Sequence, residues 1–314
     1  MKKDVLALSN AITDIFIEVN DRELEEFGLK KGVLNDKEIF YASSKFHEII
    51  KRDKELIPGG SSANVAHDTA VLGLKSGLMG TIGKDDIGKA YKRDVLKSGL
   101  ENLLATMGGE SGVCYILTTP DGEKTLVSDL KVSKNFYVYH KKIDEYQLFH
   151  TCGYELITNP EIVFDAMKHA KKKGLKLSFD LADPSIPKDI RKELDEALRL
   201  VDYLTLTEEE LEAYTGLSFE KSIHTIKGKH ELVAVKKGAR GSEILTKDKR
   251  VEIPRCPTSL VNTTGAGDAY MAGLIYGIQK GWSPEECGRM GSYTAAIVCG
   301  QQGARLCKLK TKKY

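Results

Sequence analysis

The chain has 314 residues, 41% of them hydrophobic, enough to bury a full core as one large α/β domain or as two domains. Its 47 basic and 45 acidic residues leave a formal net charge of +2, so it lacks polyelectrolyte character and nucleic acid is not an expected partner. Six cysteines (114, 152, 256, 287, 299, 307) form no C-x-x-C pair and have no histidine at zinc spacing, which predicts free thiols in a reducing compartment.

Met1-Lys2-Lys3 and the apolar residues behind them imitate a signal peptide only until Asn10, Thr13 and Asp14 interrupt, and no run of 18 apolar residues occurs. The expectation is a cytoplasmic protein with no membrane partner. Residues 4–8 read as a buried strand, and the polar elbow Ser9-Asn10-Ala11-Ile12-Thr13-Asp14 joins it to a second strand over 15–19. Open α/β sheets hold ligands at such strand ends, although Asn10 and Asp14 are also ordinary turn formers. Helix signals over 22–27 and 43–52 flank an extended piece at 32–34. Adjacent glycines, Gly59-Gly60, then precede a helix running to about Leu72, a place for a hinge or a close backbone approach.

The run from Gly77 to Asp86 approaches a P-loop, but Leu78 and Asp85 stand at positions that need Gly and Ser/Thr. Residues 113–118 and 124–128 flank Asp121-Gly122 and predict a hairpin. From about residue 147 strands and helices alternate: 148–152, 161–173, 175–179, 190–200, 203–206, 208–214 and 232–236. That rhythm predicts a mostly parallel central sheet with helices on both faces. The hairpin and the segment around 15–34 break it, and are expected as a small β appendage over one sheet edge. Lysines at 171–173 and at 308, 310, 312 and 313 read as solvated surface.

The densest chemistry lies at Val261-Asn262-Thr263-Thr264-Gly265-Ala266-Gly267-Asp268, ahead of an apolar helical run. Two glycines at a helix start let backbone amides approach an anion. Asp268 would repel that anion, so its functional use is proton removal; otherwise it complements the helix dipole, with Thr263 or Thr264 as N-cap. Tyr270 stands where a dinucleotide fingerprint needs its third glycine, which argues against a Rossmann oxidoreductase.

Taken together, Gly59-Gly60 with Asn64 and Thr263-Thr264-Gly265-Ala266-Gly267-Asp268 resemble the two signatures of the PfkB, or ribokinase-like, carbohydrate kinases, in order and some 200 residues apart. Lesser matches are Asn10 and Asp14, the run Gly83 to Gly88, Lys237-Gly238-Ala239-Arg240-Gly241, and Ala295 to Ala304. The resemblance implies a single ribokinase-like kinase domain over 1–314, with lid segments near 15–36 and 110–132. It implies Asp268 as the base, and Gly265, Ala266 and Gly267 as an anion hole. Asn10, Asp14, Gly59, Gly60 and Asn64 would bind the hydroxyls of a sugar. Thr264, Lys237, Gly238 and Gly241 would border ATP, and Glu210 would act indirectly on Mg²⁺. A monovalent cation is a further cofactor of the family, and its members are monomers or lid-joined dimers.

Three positions depart from the family pattern: Asn262 replaces Asp, Thr207 replaces the Asn of N-x-x-E, and Asp129-Leu130-Lys131-Val132 occupies the lid. The opening Ser9 to Ile15 is similar to that of adenosine kinases. The expected activity is therefore transfer of the γ-phosphoryl group of ATP to a hydroxymethyl group of a ribose-containing substrate, a nucleoside such as adenosine first. A free sugar or a sugar phosphate, the latter met by Lys131 or Lys134, is the alternative acceptor. A non-catalytic nucleotide or sugar sensor is the alternative of another class. Phe136, Tyr137 and Tyr139 are candidates for nucleobase contact, or for plain packing.

Overall fold

The computed structural model describes residues 2–52 and 54–307; the lysines at 308, 310, 312 and 313 lie outside the described residues. Among the described residues the apolar runs assemble into a nine-stranded sheet. Its order is Arg250–Ile253, Ser242–Leu245, Leu232–Lys236, Tyr203–Thr207, Lys176–Asp180, Tyr146–Cys152, Lys3–Leu8, Ser76–Gly83, Glu101–Met107. The seven strands from Leu232–Lys236 onward are mutually parallel. The two at the other edge are antiparallel, because Gly238–Arg240 turns the chain straight back instead of sending it through a helix. Burial on both faces explains the unbroken apolar character of the central strand, where Val5, Leu6, Ala7 and Leu8 are all at 0% exposure.

A second, five-stranded sheet has the order Leu34–Asn35, Lys124–Asp129, Gly112–Thr118, Ile12–Glu18, Glu55–Pro58. Strands of this sheet fall in the segments expected at 15–36 and 110–132. It also starts earlier, at Ile12, and adds Glu55–Pro58, whose proline is tolerated because the strand lies at an edge. Strand alternation divides the sheet's faces. Ile15, Ile17, Val113, Leu117 and Val127 pack with Leu24, Phe27 and Phe40 from short helices, forming the sheet's own core. Ladder partners point to the same side, so Asp14 with Cys114 and Ser128, Phe16 with Ile116 and Leu126, and Thr118 with Lys124 share the other face.

Of the helix expected over 43–52 only Phe46–Ile49 forms, and a further helix, Lys37–Ala42, precedes it. Asp36 accepts the Glu38 amide at 2.9 Å and starts this further helix, and extended backbone at Ser43 (ψ 131°) ends it. Two helices matter for chemistry: Ser61–Val71, launched by Gly59-Gly60, and Ala266–Gln279, launched by the second glycine segment. They pack against each other at one end of the central sheet.

Candidate active site

The Ala266–Gln279 helix begins on Gly265, whose φ is +79° and which provides no side-chain cap; neither Thr263 nor Thr264 caps it. A Cβ at residue 265 would lie 2.1 Å from the carbonyl oxygen of Ala304, so only glycine fits between this turn and the late segment that crosses behind it. The Ala266 amide donates to the Thr263 carbonyl at 3.1 Å. Those of Gly265 and Gly267 have no backbone acceptor among the described residues, as a helix start dictates.

Asp268, in the first turn, is pinned from the neighbouring helix. Ser61 Oγ donates to its Oδ1 at 2.7 Å and Asn64 Nδ2 to its Oδ2 at 2.8 Å. Burial pushes its pKa up to about 7, and Asp180 adds to the rise; the two hydrogen bonds and Lys236 oppose it. Gly60, at φ +92°, leaves no room for a side chain, since a Cβ would sit 2.2 Å from the Asn10 carbonyl oxygen. The same close approach sets Gly59 against Asp14, where a Cβ would lie 2.6 Å from Oδ2. Asp14 is only 9% exposed, and no described residue hydrogen-bonds to its carboxylate. Burial raises it to about 7, against Arg305 and Lys124. A desolvated carboxylate with free lone pairs is built to accept hydroxyl protons from a ligand. Asn10 faces the Tyr154 carbonyl and Thr158 Oγ1 through Nδ2, at 3.4 and 3.2 Å, and its Oδ1 is buried without a partner.

Two lysines border the glycine turn, and neither was singled out from the sequence. Lys236 Nζ lies 3.2 Å from where a Gly267 Cβ would be and donates to Asp180 Oδ2 at 2.6 Å. Burial works against its charge, yet Asp180 and Glu210 hold its pKa above the ordinary lysine value. Lys124, from the second sheet, donates to Asn262 Oδ1 at 2.6 Å and to Thr264 Oγ1 at 2.8 Å. No described carboxylate lies within salt-bridge distance of it, and burial lowers its pKa. Asn262 thus serves as a neutral acceptor, for Lys124 and also for the Thr264 amide at 3.0 Å.

The remaining residues fall as follows. Lys237 Nζ is bound to Glu243 at 2.7 Å, and Gly238 and Gly241 form the turn beside it. Thr207 caps the Glu208–Thr215 helix in a reciprocal box with Glu210, the Thr207 amide donating to Glu210 Oε2 at 2.8 Å. Burial raises Glu210 to about 7, against Lys236. Lys131 is held by Glu110 at 2.6 Å. Phe136 is part of the main core, and Tyr137 stacks on Tyr139 at 4.6 Å. No group of three metal-ligating side chains is found among the described residues.

A carboxylate thus stands at a glycine-rich helix start with Lys236 and Lys124 beside the turn, and Asp14 is a second buried carboxylate with no described hydrogen-bond partner. Residues 40–312 match the pfkB family of carbohydrate kinases, and the chain belongs to that family. An ATP-dependent ribose-1-phosphate kinase of Halopiger xanaduensis is 31% identical over 261 residues, 79% of this chain and 82% of that protein. Adenosine kinase 1 of Arabidopsis thaliana is 24% identical, with 95% of this chain and 94% of the relative aligned. The crystal structure of adenosine kinase from Sinorhizobium meliloti superposes with a TM-score of 0.87 at 27% identity, covering 98% of this chain and 96% of that one. The fold is ribokinase-like, and the protein is an ATP-dependent kinase of a sugar or nucleoside hydroxyl.

Proposed function

We propose that the enzyme transfers the γ-phosphoryl group of ATP to the hydroxymethyl group of a ribose-containing acceptor, a nucleoside such as adenosine first. The observation that carries this is the Asp268 carboxylate, fixed by Ser61 and Asn64 beside Gly265 and Gly267. Asp268 takes the hydroxyl proton as the oxygen bonds to phosphorus, a role that needs position more than a large shift in pKa. The amides of Gly265 and Gly267 and the ammonium of Lys236 meet the charge on the transferring group, while the Ala266 amide is engaged by the Thr263 carbonyl. Asp14 accepts the vicinal hydroxyls of the ribose, with Asn10, Asn64 and the backbone of Gly59 and Gly60 around it. Thr264, Lys237, Gly238 and Gly241 border the nucleotide. Mg²⁺ bound with ATP would neutralise phosphate charge, with Glu210 reaching it through water. The second sheet acts as the lid that excludes water, and the partly exposed Phe16 and Leu126, flanking the buried Ile116, offer an apolar seat for a flat base.

Phosphate transfer from ATP to a panel of nucleosides, free pentoses and ribose 1-phosphate tests this reading; no turnover on any of them sinks it. Asp268→Asn is expected to lower kcat by about 10²-fold or more while acceptor binding persists. Equal turnover by that variant would defeat the mechanism.

One observation favours a sugar phosphate as acceptor instead: the Lys124 ammonium faces the cleft with only neutral partners. Were that the acceptor, Lys124→Ala would raise KM for ribose 1-phosphate selectively. A KM that rises for ATP instead assigns Lys124 to the donor.

A further inference from the structure

Arg305, remote from both glycine segments in sequence, packs its side chain against the first of them, with only 10% of that side chain exposed. Its Nε donates to Asn64 Oδ1 at 2.8 Å, its Nη2 to the Gly59 carbonyl at 3.2 Å and its Nη1 to Asp94 Oδ2 at 2.7 Å. Tyr91 closes the pocket, donating to the same Gly59 carbonyl at 2.8 Å, with the guanidinium carbon 6.0 Å above its ring. The chain leading to this position is fixed as well: the Leu306 amide donates to Asp68 Oδ1 at 2.9 Å, and the Ala304 carbonyl abuts Gly265.

We propose that Arg305 is a positioning residue for phosphoryl transfer, orienting Asn64 toward Asp268 and holding Gly59, against which Asp14 is seated. A guanidinium only donates, so the Asn64 amide must turn its oxygen to Arg305 and its NH₂ to Asp268. The donor then favours the ionised base, the form that removes a proton. The planar fork also fixes Gly59, the residue against which Asp14 is seated, so one side chain aligns the acceptor-binding carboxylate and the base together. Asp94 anchors the outer nitrogen and keeps the fork from rotating.

The groups facing the two carboxylates are few. Asp14 meets Arg305 and Lys124 as cations, with Cys114 and Tyr91 as neutral neighbours. Asp268 meets Ser61, Asn64, Lys236, Asp180 and Tyr154. Loss of Arg305 removes one of two cations from Asp14 and frees the amide that stabilises ionised Asp268, so both carboxylates should hold their protons to higher pH.

The proposal rests on the kinase reading only in taking Asp268 as the base, and its test does not need turnover. Titration of ¹³C-labelled aspartate carboxyls by NMR, assigned with Asp14→Asn and Asp268→Asn, is compared for wild type, Arg305→Met and Arg305→Lys. Arg305→Met should raise both midpoints by roughly half a pH unit or more. Arg305→Lys should leave the Asp14 midpoint near wild type while that of Asp268 still rises, because it keeps the charge and loses the fork. In parallel, kcat/KM of Arg305→Met should fall about ten-fold or more, with the acid limb of its pH profile moved upward. Midpoints unmoved in a folded Arg305→Met protein overturn the proposal. If that variant does not fold, identical behaviour of the two carboxylates in Arg305→Lys overturns it. Wild-type protein that phosphorylates no acceptor counts against the kinase reading, and leaves the titration to decide about Arg305.

Discussion

At the scale of single residues, the site concentrates carboxylates that burial holds near neutrality: Asp14, Glu210 and Asp268 are each raised to about 7. The base role proposed for Asp268 requires its ionised form, so kcat/KM should fall about ten-fold per pH unit below roughly 7, read directly from a pH–rate profile. The same shift has the opposite sign for stability. A carboxyl whose folded pKa exceeds its unfolded value binds more protons in the native state, so its contribution declines as pH rises from about 4 to about 7 and stays unfavourable above. Asp268→Asn removes that penalty, and its Tm should exceed that of wild type at pH 8 but not at pH 4. Thermal unfolding at the two pH values checks this.

Residue-scale legibility was uneven for a physical reason. Short motifs carry their own spacing, so Gly59-Gly60, Asn64 and Gly265 to Asp268 were visible as a pair of segments. Arg305 and Ser61 carry no local signature, since what they do depends on which segment folds against them. In Lys236-Lys237 composition is silent, and strand register decides: alternate residues point to opposite sides, so one ammonium meets Asp180 beside Gly267 and the next meets Glu243.

Among the elements, strand–helix alternation after residue 147 foretold the parallel part of the central sheet, because strands buried on both faces must be nearly all apolar. The second sheet was harder to read. Its strands are drawn from three stretches of chain, and pieces as short as Leu34–Asn35 and Glu55–Pro58 are too brief to show a period. The exact alternation of Ile12–Glu18 nevertheless separates a packing face from a cleft face. Phe16→Ala and Leu126→Ala alter only the cleft face, so each should raise KM for a nucleoside by about 5- to 30-fold, the equivalent of about 1–2 kcal/mol of apolar contact. KM for free ribose should change far less, and equal changes for both acceptors would remove the base-seat argument.

For the whole molecule, no helix among the described residues is long and apolar enough to cross a membrane. All six cysteines are free. The organisation is strongly non-local: Asn10, Asp14, Gly59, Lys124, Lys236 and Asp268 come from separate stretches that meet at one end of the central sheet.

The late segment behind Gly265 gives this non-locality a direction in time. Ribosomes make the elbow bearing Asn10 and Asp14 first, and the segment bearing Ala304 and Arg305 after the sequence of every described strand of both sheets. A nascent or clipped chain stopping near residue 300 could therefore acquire its core, while Gly59 and Asn64 would still lack the guanidinium that joins them. Docking of the Arg305 segment, rather than formation of the core, would then raise activity by the factor that Arg305→Met removes.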